Sequence, residues 1–195
     1  TLATHRQRIL EGIRGDLGYV VNTGVPPTHW AYDPSLSEYF GHNPDQAREL
    51  LLQAGWADRD GDGVRENTEG TPLSIELLYS LNQERQEVAE IMQAQLREVG
   101  VDLLPRGIDY PTLLDIIFAP ERPYEGFLMG WEAEFRLDER DLFHSEAAEG
   151  PLAFSGIQDP VMDRYLDTLQ LITDRDQARP LWREYQLRLC FYVHR

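Results

Sequence analysis

The sequence predicts an α/β fold in which a mainly parallel sheet is flanked by helices. Three apolar segments suited to strands, at 73–79, 101–104 and 127–131, alternate with two segments of helical periodicity. The order strand, helix, strand, helix, strand with short links favours a parallel sheet with right-handed crossovers. The last strand opens with Phe-Leu-Met, a run without alternation that is typical of strands covered on both faces.

Two helices are predicted ahead of the first strand. Apolar residues at helical spacing predict one over 2–14, and Gly15 ends it. Asn43 and Pro44 predict the start of the other, because asparagine caps a helix well and proline suits its first position. Four apolar residues at i, i+3, i+4 and i+7 form the predicted inner face of this second helix: Ala47, Leu50, Leu51 and Ala54.

Helix caps also follow the first two strands. Asn82 and Asp109 stand where the chain leaves a strand and enters a helix, so capping is the expected role of both side chains. Beyond the sheet, one helix is predicted to begin at Pro160 and another near Asp174. The apolar residues 191–193 are predicted to start a returning strand.

The chain is strongly acidic. Its formal net charge is −16, and all 18 basic residues are arginine. Such a surface disfavours nucleic acids and anionic lipids, which bind proteins through cationic groups, so no nucleic-acid partner is expected. No apolar run approaches the ~20 residues that a membrane-spanning helix requires. Cys190 is the single cysteine, which excludes an internal disulfide, and its apolar neighbours predict a buried thiol.

Three segments are predicted to meet at the carboxyl edge of the sheet, where open parallel sheets bind ligands. They are 80–82, 107–110 and 131–134, and each carries polar or aromatic side chains. Asn82 and Tyr110 are therefore candidate ligand contacts in addition to their place at the start of a helix.

Trp131 is a further candidate at this edge. It follows Gly130, and an indole beside a residue that permits close backbone approach suits a groove for an extended ligand. A position in the core is the alternative for Trp131. His144 either lines the same cleft or lies on the surface.

An acidic loop between the second helix and the first strand has the spacing of an EF-hand calcium loop, D-x-D-x-D-G with a glutamate at the twelfth place. Two features disfavour a true EF-hand: a strand follows the loop, and Arg65 stands where an apolar anchor is expected. The alternative is an Asp/Gly-rich turn whose carboxylates accept local N–H groups. We therefore expect no cofactor, with structural calcium as the other possibility on these candidate ligands: Asp58, Asp60, Asp62, Val64, Glu66 and Glu69.

The sequence predicts no enzyme. Glu132 and Glu134 lie two apart, so on an extended segment they point the same way about 6.5 Å apart, whereas a glycosidase pair must flank the scissile bond. The five histidines show no H-x-x-x-H spacing. Gly61 and Gly63 lie among carboxylates that would repel a phosphate.

Three stretches together carry a resemblance to a known family. The first is 43–56, which reads NPDQARELLLQAGW and runs into the acidic segment 58–66; the second is 88–101, which contains QAQLREVG. The third is the Gly-Trp pair at 130–131 with DPVMD and a Leu-Asp pair within 159–167 downstream. In order and spacing they resemble the family 5 extracellular solute-binding proteins, which include the oligopeptide-, dipeptide- and nickel-binding proteins of ABC importers.

The resemblance implies a protein of two lobes that closes on a peptide or another small solute and delivers it to an ABC-transporter permease. Residues 1–195 are then a single α/β lobe, the carboxyl-proximal one, with a periplasmic-binding-protein-like type II fold. Sequence outside these residues would build the other lobe. The expected protein is a monomer in the periplasm or on the extracellular face of the cytoplasmic membrane.

The resemblance also implies a ligand set. The glycine of the Gly-Trp segment and the residues after it pair with the peptide backbone, and here these are Gly130, Trp131, Glu132 and Ala133. The acidic residue four after the glycine holds the peptide's α-ammonium. That position is Glu134, where the family usually has aspartate, so the carboxylate lies about one carbon–carbon bond further out and peptide specificity is loosened.

Two other functions remain open at this point. A similar domain serves as the ligand-sensing part of some transcription regulators, and a helix-turn-helix segment ahead of the chain would identify that case. A free-standing structural calcium-binding module is the second alternative, and it would be stabilised by calcium and indifferent to peptides.

Overall fold

The computed structural model describes residues 2–15, 17–38, 41–132, 137–154 and 156–193. The chain falls into two compact units. We call the first the sheet unit, which comprises 1–20, 40–117 and 122–130. We call the second the helical unit, which comprises 21–39, 118–121 and 131–195. The assignment of 1–195 to one lobe stays a prediction.

The described part of the sheet unit contains three parallel strands and four helices. The strands are β1 (Ser74–Ser80), β2 (Asp102–Ile108) and β3 (Gly126–Leu128), in the order β2-β1-β3. Both pairings are parallel, which confirms the predicted sheet. The helices are α1 (Arg6–Arg14), α2 (Pro44–Gln53), α3 (Gln83–Arg97) and α4 (Tyr110–Ile117).

Both faces of β1 are covered, as expected of the central strand of a parallel sheet. Leu78 is 1% exposed and packs on one face with Leu113 and Ile117 of α4. Leu77 and Tyr79 point the other way and pack against α3. The sheet is therefore held between two helices, and its carboxyl edge stays accessible.

The three predicted caps of the sheet unit are confirmed. The side-chain Oδ1 atoms of Asn43, Asn82 and Asp109 each accept a hydrogen bond from a backbone N–H three residues on, at 3.0, 3.2 and 3.0 Å. Each bond satisfies one of the N–H groups that a helix leaves without an internal partner. The caps thus fix the points where α2, α3 and α4 begin.

Four details of the sheet unit differ from the sequence prediction. Residues 2–5 are not helical, because α1 begins at Arg6. β2 is longer than expected and includes Pro105, which an edge strand tolerates. β3 ends at Leu128, so Trp131 is not part of the strand. On α2 the inward stripe is narrower than expected, because Leu50 is 45% exposed and Ala54 is also exposed.

The helical unit is built on α5 (Arg140–Phe143), α6 (Pro160–Leu171) and α7 (Arg175–Val193), with short 3₁₀ turns at Pro34–Glu38 and Ser145–Ala147. Its core contains Val25 and Ala31 together with buried residues of α6 and α7, which are Met162, Leu166, Ala178, Trp182, Tyr185 and Leu189. Within the described residues, no helix combines the length and the apolar character needed to span a bilayer.

The strand predicted over 191–193 is wrong. Helix α7 continues through Val193, because Leu189 extends the helical spacing set by Trp182 and Tyr185 and packs in the same core. Cys190 is 1% exposed, which confirms the buried thiol.

Gly100 provides a test of the packing between α3 and β2. Its φ is +86°, and an added Cβ would lie 2.6 Å from the Cγ atom of Arg65, whose guanidinium donates to the carbonyls of Val99 and Trp56. We expect Gly100→Ala to lower the free energy of unfolding by at least about 1 kcal/mol more than Gly70→Ala, since the Arg65 hydrogen bonds are also disturbed.

Gly70 is a matched control. Its φ is +82°, and nothing lies within 4 Å of an added Cβ. Urea denaturation of both variants measures the difference. Equal losses would show that only the left-handed backbone conformation matters and that Arg65 moves aside freely.

Candidate functional site

The carboxyl edge of the sheet presents apolar and polar groups to solvent. Leu81 directly follows β1 and is 70% exposed, and Tyr110 follows β2 and is 51% exposed. Leu81 leans over Gly107, where an added Cβ would lie 2.8 Å from its Cδ2 atom. Asn82 is exposed, but its side-chain oxygen accepts the hydrogen bond that caps α3. The exits of β1 and β2 therefore carry exposed side chains, which include Leu81, Asn82 and Tyr110. Their contact with a ligand stays a prediction.

Arg85 is a residue of this edge that sequence reasoning missed. Its Nη1 atom donates a 2.5 Å hydrogen bond to the Oγ atom of Ser80, which is 4% exposed. Its Nη2 atom lies 3.5 Å from the place where a Cβ on Gly130 would be. The guanidinium is thus fixed between the exits of β1 and β3. A basic residue three places after a helix cap at a strand exit is the sequence signal that would have identified it.

Arg85 has no carboxylate partner among the residues that the structure describes. Its Nη2 atom lies near Gly130, and a guanidinium binds carboxylates through paired, parallel hydrogen bonds. This part of the edge is therefore suited to an anionic group of a ligand.

The predicted Gly-Trp segment is described in part. Trp131 is 57% exposed, so it does not occupy the core position considered as an alternative. Glu132 is exposed as well. Ala133 and Glu134 lie outside the described residues, and their roles stay predictions.

His144 is buried rather than on the surface. It is 4% exposed, and its Nδ1 atom accepts a hydrogen bond from the backbone N–H of Glu146. Its Nε2 atom lies 3.5 Å from an Oδ1 of Asp167 and 3.9 Å from Asp163, with no hydrogen bond formed. Contact between His144 and a ligand stays a prediction, while the surface alternative is wrong.

The acidic loop brings four of its candidate ligands together. Asp58, Asp60, Asp62 and Glu66 each place one carboxylate oxygen within 4.8 Å of the others. Three of them are exposed, and Glu66 is 7% exposed. Among the described residues, this is the group of acidic, histidine or cysteine side chains with a geometry suited to a metal ion.

Glu69 is absent from this group, and its predicted place as the twelfth ligand is wrong. Glu66 pairs with Ala57 and with Pro72 through isolated antiparallel bridges, which turn the chain back before Glu69 can reach the loop. Glu69 therefore lies exposed in a turn. Val64 is 5% exposed and packs inward.

The carboxylates of the loop also serve the turn itself. Asp58 accepts hydrogen bonds from the backbone N–H groups of Gly61 and Gly63, at 2.7 and 3.1 Å. Asp62 accepts from Val64 at 2.6 Å, and Asp60 accepts from Asp62 at 3.1 Å. These bonds shape an Asp/Gly turn without requiring an ion.

Comparison with known proteins identifies the family. Residues 1–143 match the bacterial extracellular solute-binding proteins, family 5 Middle. The oligopeptide-binding protein AppA of Bacillus subtilis (strain 168) is 26% identical over 179 residues, which are 91% of this chain and 33% of AppA. The di/tripeptide-binding protein 1 of Pseudomonas aeruginosa (strain UCBPP-PA14) is 24% identical over 188 residues, which are 95% of this chain and 33% of that protein.

The fold comparison agrees. The structure of AppA from Bacillus subtilis in complex with a nonapeptide superposes with a TM-score of 0.89 at 23% sequence identity, covering 98% of this chain and 38% of that chain. This likeness confirms the predicted α/β architecture of the type II periplasmic-binding-protein class.

The chain therefore belongs to family 5 of the bacterial extracellular solute-binding proteins. It spans about one third of the length of the curated relatives that it matches. The resemblance seen in the sequence is thus confirmed at the level of the family and the fold.

Calcium is the subject of a direct test. We expect the melting temperature to be the same in excess chelator and in millimolar calcium, because the Asp58, Asp60 and Asp62 carboxylates hold the turn through backbone N–H groups. Asp58→Ala should lower the melting temperature under both conditions, since two hydrogen bonds are lost.

The opposite result would establish a metal site. A bound ion present at a hundred times its dissociation constant stabilises a protein by about 2.7 kcal/mol, a shift that thermal melts detect easily. Such a shift, abolished by Asp60→Ala and retained in Glu69→Gln, would assign calcium to the four clustered carboxylates.

Proposed function

We propose that this chain contributes the ligand-binding edge of a solute-binding protein that captures a peptide for import by an ABC transporter. The observation that carries the proposal is the open carboxyl edge of a parallel sheet in a member of this family, with Leu81, Arg85 and Tyr110 around it. The names of the relatives, which are oligopeptide- and di/tripeptide-binding proteins, support a peptide as the solute.

The proposed mode of binding uses the peptide backbone. Gly130 has no side chain to hinder an extended ligand, and main-chain hydrogen bonds give affinity that depends little on sequence. Leu81 and Tyr110 offer exposed apolar surface for the ligand's side chains. In this proposal Glu134 holds the α-ammonium group of the peptide, and Arg85 holds a carboxylate.

The proposed cycle involves capture and release without covalent chemistry. The relatives are binding proteins, which fits a chain that is not an enzyme. The location implied by the family is outside the cytoplasmic membrane, and the implied partner is a permease in that membrane. The protein is proposed to act as a monomer.

Peptide affinity tests the proposal. We expect calorimetry with a mixture of short peptides to show at least a hundredfold tighter binding by a longer polypeptide containing this chain than by residues 1–195 alone. The reason is that one wall leaves the ligand half solvated, while closure of two lobes buries most of its surface.

Two outcomes would overturn the proposal. Equal affinities would contradict the two-lobe architecture, and absence of binding to any peptide by the longer polypeptide would contradict the peptide as solute. A melt recorded for both proteins controls for folding.

The charged anchors give a separate prediction for the longer polypeptide. We expect Arg85→Gln to weaken binding of a free peptide at least tenfold and to leave a carboxyl-amidated peptide unaffected. We expect Glu134→Gln to act in the same way on the free amino terminus, with the acetylated peptide as its comparison. Loss of one partner of a desolvated charge pair costs roughly 2–5 kcal/mol.

Arg48→Gln is the matched control for Arg85. Arg48 pairs with Asp45 and donates to the carbonyl of Glu98, away from the sheet edge. If Arg85→Gln and Arg48→Gln affect free and amidated peptides equally, Arg85 has no role in holding a carboxylate.

A further inference from the structure

The helical unit contains a pocket that shares no residue with the predicted ligand edge. Its volume is about 530 Å³, within the range of pockets that hold small molecules. The apolar wall is formed by buried and half-buried residues that include Leu166, Leu169, Ile172 and Trp182. The pocket lies wholly within this unit, so its shape follows from the packing of α6 and α7.

Glu139 is the unusual member of the pocket lining. It is 6% exposed, and the hydroxyl of Tyr185 donates a 2.5 Å hydrogen bond to its Oε2 atom. Within the described ranges, no arginine or histidine forms an ion pair with it. An acid buried without a cation is costly to ionise, and burial accordingly raises the pKa of Glu139 although the Tyr185 hydrogen bond opposes the shift.

The carboxyl group of Glu139 packs closely against the backbone at Gly24. A Cβ added to Gly24 would lie 2.4 Å from the Oε1 atom of Glu139, so the position beside it accepts glycine and no larger residue. Burial also raises the pKa of Tyr185 well above its usual value, which keeps its hydroxyl a donor to Glu139. The acid is therefore held in place through its Oε2 atom, and among the described residues Tyr185 is the hydrogen-bond donor to its carboxyl group.

The lining of the pocket also includes charged and aromatic residues. The guanidinium carbon of Arg175 lies 5.7 Å from the ring centre of Trp30, a cation–π arrangement. Asp138 adds a second acidic group at the rim, where it accepts a hydrogen bond from Gln170. Arg175 and His29 are the basic residues among those that line the pocket, and Arg175 rests on Trp30 rather than on Glu139.

We propose that this pocket binds a primary ammonium group carried on an aliphatic chain, with the ammonium against Glu139 and the chain along the apolar wall. An ammonium supplies a cation, which the buried carboxyl group lacks among the described residues, and its three N–H groups suit the Oε1 atom, to which no described residue donates. A carboxylate ligand would be repelled by Glu139 and Asp138. The inference concerns the helical unit alone and stands whether or not the sheet edge binds peptides.

The test compares three ligands of the same length. Hexylammonium, hexanol and hexanoate are titrated into residues 1–195 at constant ionic strength and neutral pH, and binding is followed by calorimetry and by Trp fluorescence. We expect hexylammonium to bind at least tenfold more tightly than hexanol, and hexanoate to show no binding.

Two variants assign the site. Glu139→Gln should weaken hexylammonium at least tenfold and remove its advantage over hexanol. The amide oxygen still accepts from Tyr185 and the buried charge is gone, so the melting temperature should not fall. Glu149→Gln, which changes an exposed acid of the same unit, should leave all three affinities unchanged.

Three results would overturn the proposal. They are equal binding of hexylammonium and hexanol, unchanged binding of hexylammonium by Glu139→Gln, and absence of hexylammonium binding at millimolar concentration. Preference for hexanol would show that the pocket takes neutral ligands and that Glu139 acts only as a neutral partner of Tyr185.

Discussion

The sheet unit depends on the position of β1 between its two neighbours. β1 pairs with β2 along seven residues, from Ser74 opposite Asp102 to Ser80 opposite Ile108, and with β3 along three. Its side chains pack on both faces, against α3 on one and α4 on the other. The exits of β1 and β2 therefore lie side by side, with Ser80 opposite Ile108.

In the helical unit, the buried side chain of Asp159 connects two helices. Asp159 is 2% exposed, caps α6 through the backbone N–H of Val161, and accepts hydrogen bonds from Arg188 and Tyr192 of α7. Burial acts to raise the pKa of Asp159, but the hydrogen bonds from Arg188, Tyr192 and Val161 outweigh it and lower the pKa to about 2. The carboxylate therefore joins the start of α6 to the last turns of α7 over the whole neutral range. Glu139 in the same unit shows the opposite case, since burial raises its pKa.

Local signals in the sequence predicted the helices and strands well, but they predicted less well which side chains of these elements are buried. The caps at Asn43, Asn82 and Asp109 are properties of a few adjacent residues, so they were predictable. The exposure of Leu50 was not, because it depends on distant contacts. The helix α2 makes such distant contacts, for example through Arg48, which donates to the carbonyl of Glu98, fifty positions away.

The candidate sites show the same difference between features set by adjacent residues and features set by distant contacts. The convergence of Asp58, Asp60 and Asp62 follows from their spacing, whereas the exclusion of Glu69 follows from bridges made further along the chain. Arg85 and Glu139 were missed because their importance lies in their neighbours, a buried serine hydroxyl in one case and a glycine from a remote loop in the other.

Pro105 gives β2 a property that concerns association between molecules. β2 is an edge strand of the described sheet, and proline offers no N–H to a strand that would add alongside it. A second chain that approached this edge would find its ladder of donors interrupted near the middle. Such an interruption guards this edge of the described sheet against aggregation through strand addition.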